Sequence, residues 1–114
     1  MKLKFSKTEC YHILRISSKL AVAKSTDANV QKIIKELVNK FNLQFAEGQK
    51  EIEVPLQRRH LRGIEAIIGT SRQVLKENII PAYEKRGIYP EQMERAKVML
   101  TEYDALLAKI EAAL

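Results

Sequence analysis

The chain is poor in the residues that build disulfide-rich, aromatic-rich and membrane-spanning proteins. Its 114 residues include no tryptophan, one cysteine (Cys10), three phenylalanines and four tyrosines. A single cysteine excludes an intrachain disulfide and is typical of a reducing compartment, so we expect a cytoplasmic location. No apolar run approaches the ~18 residues of a transmembrane helix. The basic N-terminus also lacks the apolar stretch of a signal peptide, and no membrane partner is expected.

The residues that usually carry catalysis or bind metals form no recognisable pattern. His12 and His60 have no Cys, Asp or Glu at metal-ligand spacing, and His12 is expected on the exposed stripe of its helix. Cys10 falls near a predicted helix start, where its thiol could be activated, but its inward position favours a place in the core. A glycine-rich phosphate loop is absent. The sequence therefore predicts no catalytic residues, no metal site, no cofactor and no enzymatic activity.

Length and composition indicate one ordinary globular domain spanning residues 1–114, with 46% apolar and 30% charged residues. The net charge of +6 is unevenly distributed. Residues 1–50 contain ten Lys and Arg against four Asp and Glu, whereas residues 51–114 contain ten of each. The excess positive charge therefore lies in the first half, as in proteins that dock nucleic acid, anionic lipid or acidic proteins. The alternative is that these lysines are ordinary solvated surface residues without a binding role.

Two apolar heptad patterns predict the main architecture. The first covers the last 22 residues, and its members are Met93, Ala96, Leu100, Tyr103, Leu107, Ile110 and Leu114. The second has the same spacing, in Leu61, Ile64, Ile68, Ser71 and Leu75. This spacing keeps one apolar stripe facing a partner helix, so we predict a long antiparallel hairpin of helices 56–79 and 90–114. Leu100 and Ile68 should be deeply buried in the seam, the apolar contact between these two helices, whereas Gly63 and Gly69 lie outside it.

The remaining segments predict a small sheet and two more helices. Residues 2–5 read as a strand, and Ser6 with Glu9 forms a capping box that opens a helix over 6–24. A second amphipathic helix covers 27–42. Residues 43–54 read as a hairpin turning at Glu47-Gly48, and opposite charges favour strand 2–5 as the neighbour of 51–54. Pro81 should end the long helix, with a turn over 82–86. The predicted class is α+β, mostly helical, with a four-helix arrangement and a two- or three-stranded antiparallel sheet.

An arginine cluster near a helix start is the strongest candidate binding feature. Arg58 and Arg62 lie one turn apart, where their mutual repulsion and the helix dipole both disfavour positive charge. Either an intramolecular acid such as Glu65 or an anionic partner would resolve this conflict, and arginine binds carboxylates and phosphates in a bidentate manner. The predicted partner-binding residues are Arg58, Arg59, Arg62, Arg15, Lys19, Lys32 and Lys35.

The final helix carries more apolar surface than one seam needs. The first two helices could cover this excess; otherwise it forms a self-association surface, to which we assign Met99 and Leu106, which flank the seam, and a homo-oligomer is then expected. The sequence thus favours a non-enzymatic protein-interaction module, a self-associating regulator or adaptor that docks an acidic protein. A nucleic-acid-binding protein that uses the basic N-terminal half is the alternative.

Overall fold

The computed structural model describes residues 1–22, 27–87 and 90–114. Helices account for 76% of it, and a two-stranded antiparallel sheet accompanies them, so the mostly helical α+β class is confirmed. The elements in chain order are β1 (Lys2–Ser6), α1 (Lys7–Ala21), α2 (Ala28–Phe41), β2 (Glu51–Pro55), α3 (Arg58–Val74), a π-helical turn (Leu75–Ile79), α4 (Ile80–Arg86) and α5 (Pro90–Ala113). Because α3, the π-helical turn and α4 follow one another without a break, they count as one of the four helices of the described residues. Within these residues, no helix combines the length and apolar character needed to cross a membrane.

The chain divides into two compact units. The first comprises Met1–Ile64 together with Leu114, and the second comprises Glu65–Ala113. The division falls inside α3. By sequence, residues 1–64 contain thirteen Lys and Arg against six Asp and Glu, a net charge of +7. Nearly all of the basic character therefore belongs to the first unit.

In the first unit, β1 and β2 pair antiparallel with Leu3 opposite Val54 and Phe5 opposite Ile52. These four apolar side chains share one face, because alternate residues of a strand point the same way. Phe5 and Val54 are buried, and the Phe5 ring meets Phe41 at the end of α2 edge to face, with 5.0 Å between centroids. On the other face Lys4 stands opposite Glu53, which is the cross-strand charge pairing predicted from the sequence.

The outer edge of β2 is largely occupied. The Leu56 amide donates to the Met1 carbonyl at 2.8 Å. This bond extends the ladder and shows which alternate residues of β2 form hydrogen bonds with β1. The backbone groups of Glu51, Glu53 and Pro55 consequently face away from β1. Lys40 Nζ donates to the Pro55 carbonyl at 3.0 Å, and Gln49 Nε2 donates to the Glu51 carbonyl at 3.2 Å. Proline itself has no amide hydrogen to offer.

The hairpin predicted over 43–54 is wrong in its first arm. Residues 42–46 are irregular, and the sheet contains β2 paired with β1 instead of Leu43 paired with Ile52. A turn does form at Glu47-Gly48, where Gly48 adopts a φ of 78° and the Gln49 amide donates to the Ala46 carbonyl. Leu43 and Phe45 instead line a groove together with residues of α1, so their apolar alternation does not mark a strand.

The helix starts follow the sequence. At α1, Ser6 Oγ accepts from the Glu9 amide and the Glu9 carboxylate accepts from the Ser6 amide, so the predicted capping box is confirmed. Asp27 caps α2 through the Asn29 amide. The predicted end of the first helix at residue 24 lies outside the described residues.

Gly63 lies where α2 and α3 approach closely. A Cβ added at this position would come within 2.9 Å of Ile33 Cγ2 and 3.5 Å of Leu37 Cδ1. Glycine therefore lets α3 pack directly on α2. The heptad reading placed Gly63 outside any packed face, because that reading considered only the seam.

The helix that begins at Arg58 continues beyond Pro81, contrary to the sequence prediction. Over Leu75–Ile79 it widens to a π-helical turn, and the Ile80 amide bonds to the Leu75 carbonyl, five residues back. A proline in a regular α-helix loses one hydrogen bond and collides with the carbonyl four residues before it. Widening the turn immediately ahead of Pro81 accommodates its ring, and α4 then runs to Arg86 and ends at Gly87 with a φ of 64°.

In the second unit the burial pattern modifies the predicted seam. Ile68, Ala96, Tyr103 and Ile110 are buried as expected, but Leu100 and Leu107 are only half-buried. Leu106 is fully buried. Its assignment to a self-association surface is therefore wrong, because a side chain without exposed area cannot contact a second molecule in the folded chain.

Candidate functional site

The start of α3 contains the arginine cluster, and the structure separates its members. Arg59 is held by its neighbours: its guanidinium contacts Glu36 on α2 at 3.0 Å, and its Nε donates to the Gln57 side chain at 2.7 Å. The acid that answers the cluster is thus Glu36, and not Glu65 as the sequence suggested. Glu36 is distant in sequence, so spacing along one helix could not reveal it.

His60 links this ion pair to the helix start. Its ring is 2% exposed, its Nδ1 accepts from the Gln57 backbone amide at 3.0 Å, and its Nε2 lies 2.6 Å from a Glu36 carboxylate oxygen. Because Nδ1 accepts a hydrogen bond, the proton of the neutral ring belongs on Nε2, which donates to Glu36. His60 therefore takes the place of the Glu in a capping box and also joins α3 to α2. No local sequence pattern indicated this role.

Glu36 is ionised by its surroundings. The hydrogen bond from His60 lowers the pKa of the Glu36 carboxyl, and the bond and charge of Arg59 lower it further, against a smaller opposing effect of burial. The carboxylate thus neutralises one arginine of the cluster.

Arg58 and Arg62 remain on the exposed side of α3. Within the described parts of the chain, neither has an acidic partner. None of the described acidic residues therefore relieves the repulsion and the unfavourable dipole predicted for this pair. Two guanidinium groups one turn apart are available to an external anion.

Lys32 and Lys35 belong to the same region of the first unit. Both are exposed on α2, and each directly precedes a residue that contacts α3: Ile33 approaches Gly63, and Glu36 binds Arg59 and His60. We call Arg58, Arg62, Lys32 and Lys35 the α2–α3 basic surface.

Arg15 and Lys19 lie on α1, and the structure adds Lys7 and Tyr11 to them. These four residues recur every fourth position and so form one ridge along the helix, which we call the α1 ridge. Tyr11 is 59% exposed, and the Arg15 guanidinium lies 5.9 Å from its ring centroid. The spacing of Lys7 and Tyr11 is visible in the sequence and could have been used. His12, which the sequence placed on the exposed stripe, is instead 4% exposed.

A groove lies beside the α1 ridge. Its volume is about 430 Å³, and its surface is mainly apolar. The floor includes Cys10 and Phe41, which are buried, and the walls include Leu14, Leu43 and Phe45. Lys7 lies at its rim. We call this the α1 groove.

In the second unit, Met99 is half-buried and Val98 is 51% exposed on α5. An ion pair joins Arg72 of α3 to Asp104 of α5. Across the described residues, no group of three His, Cys, Asp or Glu side chains could hold a metal ion. No protein-family model, curated protein or solved structure matches the chain.

Proposed function

We propose that this protein is a non-enzymatic interaction module whose basic first unit docks an acidic protein partner. The observation that carries the proposal is the contrast within the arginine cluster: Glu36 neutralises Arg59, whereas Arg58 and Arg62 stay exposed without an acid among the described residues. Retaining two cations at a helix start disfavours the free chain slightly, by ~0.2–1 kcal/mol. A bidentate contact with a carboxylate would more than offset that cost.

A binding role without catalysis agrees with the engagement of His60. Both of its ring nitrogens are used, one by the Gln57 amide and one by Glu36, so the ring serves α3 and the α2–α3 contact. A cytoplasmic location is part of the proposal and is supported by the presence of a single cysteine, the buried Cys10.

The alternative is nucleic-acid binding through the same cations. It is favoured by the net charge of +7 on residues 1–64 and by Tyr11, an exposed aromatic beside Arg15. Both functions would use Arg58 and Arg62. They are therefore distinguished by comparing the binding of an acidic polypeptide with the binding of a nucleic acid.

The test measures binding of fluorescent polyglutamate and of a short DNA duplex to the parent chain and to Arg58→Gln/Arg62→Gln. We expect polyglutamate to bind, and the double variant to lose about tenfold or more in affinity for each arginine. Its melting temperature should stay unchanged or rise slightly. The matched control is Arg95→Gln/Lys97→Gln, which removes two exposed cations from α5 in the second unit.

Two results would overturn the proposal. One is a lowered melting temperature with unchanged polyglutamate binding, which would make the arginine pair structural. The other is tighter binding of DNA with a steep loss of affinity on added salt, which would establish the alternative.

For the second unit we propose that the helices run antiparallel along the heptad seam between residues 65 and 113. The Arg72–Asp104 ion pair supports this arrangement, as does the pairing of Gly69 with Leu107 and of Tyr83 with Met93 in shared clefts. From one pair to the next, the residue number falls along α5 as it rises along the preceding helices, as an antiparallel arrangement requires. Self-association through Met99 and Leu106 is not part of the proposal, because Leu106 is buried.

A further inference from the structure

We propose that the α1 groove receives an apolar side chain of an acidic peptide, so that the partner carries an apolar anchor followed by several carboxylates. This inference rests on the proposed function, because it assumes an acidic partner. It adds a second contact area to the α2–α3 basic surface and defines the chemistry of the partner segment.

The groove has the size and lining of an anchor site. Its volume of about 430 Å³ falls within the ~300–1,000 Å³ typical of ligand pockets. Buried Cys10 and Phe41 form an apolar floor, and half-buried Leu14 and Phe45 contribute to the walls. A phenylalanine or leucine side chain would replace water on these surfaces.

Two exposed apolar residues line this groove. Tyr11 is 59% exposed and Leu43 is 36% exposed, and both line it. Leu43 belongs to the irregular segment that the sequence suggested as a strand. Its exposure is explained if the segment serves as one wall of a binding groove, since clustered exposed apolar surface usually marks an interaction site.

The positive charge of the α1 ridge, whose Lys7 lines the groove, favours an acidic ligand. Lys7, Arg15 and Lys19 share the α1 ridge, and Glu9, the only acid in α1, is engaged in the capping box with Ser6. Lys7 and Lys19 have no acidic partner in the described residues. The ridge is therefore complementary to a run of carboxylates.

The length of the ridge indicates a peptide and not a small carboxylate. Twelve residues separate Lys7 from Lys19, which corresponds to about 18 Å along an α-helix. An extended peptide covers that distance with about five or six residues at ~3.3 Å each. A small aromatic acid in the groove would reach only Lys7 at the rim.

The test uses three fluorescent hexapeptides and fluorescence anisotropy. The first has phenylalanine at its second position and glutamate elsewhere; the second replaces phenylalanine by alanine; the third replaces every glutamate by glutamine. We expect the first to bind at least tenfold more tightly than either of the others, because it alone combines an anchor with charge.

Variants then locate the binding. Leu43→Glu places a carboxylate in the groove wall at an exposed position and should abolish the advantage of phenylalanine over alanine. Val30→Glu, at a residue 45% exposed on α2, is the matched control and should preserve it. Circular dichroism checks that both variants keep the parent helicity. A Leu43→Glu protein that retains the advantage would overturn the inference.

Further outcomes separate this inference from the proposed function. If polyglutamate binds but the phenylalanine peptide gains nothing over the alanine peptide, the groove inference fails and the proposed function stands. If 3-phenylpropionate displaces the peptide at concentrations near the dissociation constant of the peptide, the groove binds small acids and the peptide inference fails. If neither peptides nor polyglutamate bind, both fail.

Discussion

Glu36 and His60 lie 24 residues apart, yet a His60 Nε2 to Glu36 Oε2 distance of 2.6 Å joins α2 to the start of α3. The His60 ring also accepts the Gln57 amide through Nδ1. One buried imidazole therefore connects a helix cap to a helix–helix contact. Arg59 shares the carboxylate, so removing Glu36 would release both the His60 ring and the Arg59 guanidinium.

The first prediction concerns the pH dependence of this contact. Because the pKa of Glu36 is lowered in the folded chain, its stabilising effect is complete above the ordinary glutamate range, about pH 4–5, and is lost as the pH falls through the lower folded value. Glu36→Gln should therefore melt at a lower temperature than the parent at pH 7, and the difference should shrink towards pH 3. Glu47→Gln, in the exposed turn, is the control. A difference that stays constant across this range would contradict the assignment.

The second prediction compares two glycines of α3. Gly69→Ala should stabilise the chain by ~0.5–1 kcal/mol through helix propensity, because a Cβ there meets nothing within 4 Å. Gly63→Ala should instead destabilise it by ~1–3 kcal/mol, because the Cβ would lie 2.9 Å from Ile33 Cγ2. Urea unfolding measures both. Equal effects of the two substitutions would show that α3 does not pack closely on α2.

The third prediction concerns Pro81 and the π-helical turn. Pro81→Ala should change the unfolding free energy by less than ~1 kcal/mol, because the wide turn already removes the clash. Ala82→Pro, one residue further into α4, should cost ~3 kcal/mol or more, because it introduces a clash that no turn accommodates. Thermal melts followed by circular dichroism compare the two. Equal tolerance of proline at both positions would mean that the π-helical turn has no role in accommodating Pro81.

The fourth prediction ranks two leucines of α5. Leu106 is fully buried and Leu100 only half-buried. Leu106→Ala should cost ~2–5 kcal/mol and Leu100→Ala distinctly less. Light scattering of the parent chain and of Leu106→Ala tests the sequence-based prediction that Leu106 lies at a self-association surface. If Leu106→Ala dissociates an oligomer at little cost in stability, Leu106 lies at an interface after all.

Local signals in the sequence predicted the parts of the fold that depend on neighbouring residues. The Ser6–Glu9 capping box and the start of the last helix at Pro90 follow from short spacings, and the opposition of Lys4 to Glu53 follows from the complementary charges of two alternating strands. Each of these interactions involves a single helix start or one strand pair, so its residue types are sufficient to indicate it.

Features that depend on distant contacts were missed. Leu43 and Phe45 alternate like a strand, but they lie in an irregular segment that lines a groove beside α1. Pro81 normally ends a helix, and only the hydrogen-bond shift over Leu75–Ile79 lets the helix continue. In the candidate site, the exposed arginines were identified from their positions, whereas the distinction between Arg59 and its neighbours required Glu36.

The outer edge of β2 has a consequence for behaviour at high concentration. A strand from another molecule that added to this edge would find no amide hydrogen at Pro55 and would have to displace Lys40 and Gln49 from their carbonyls. The amide of Glu51 and the backbone groups of Glu53 remain for pairing, beside two carboxylates that repel acidic strands. Growth of fibrils by sheet extension on this side is thereby disfavoured, although a sheet of two strands is otherwise prone to recruit a third.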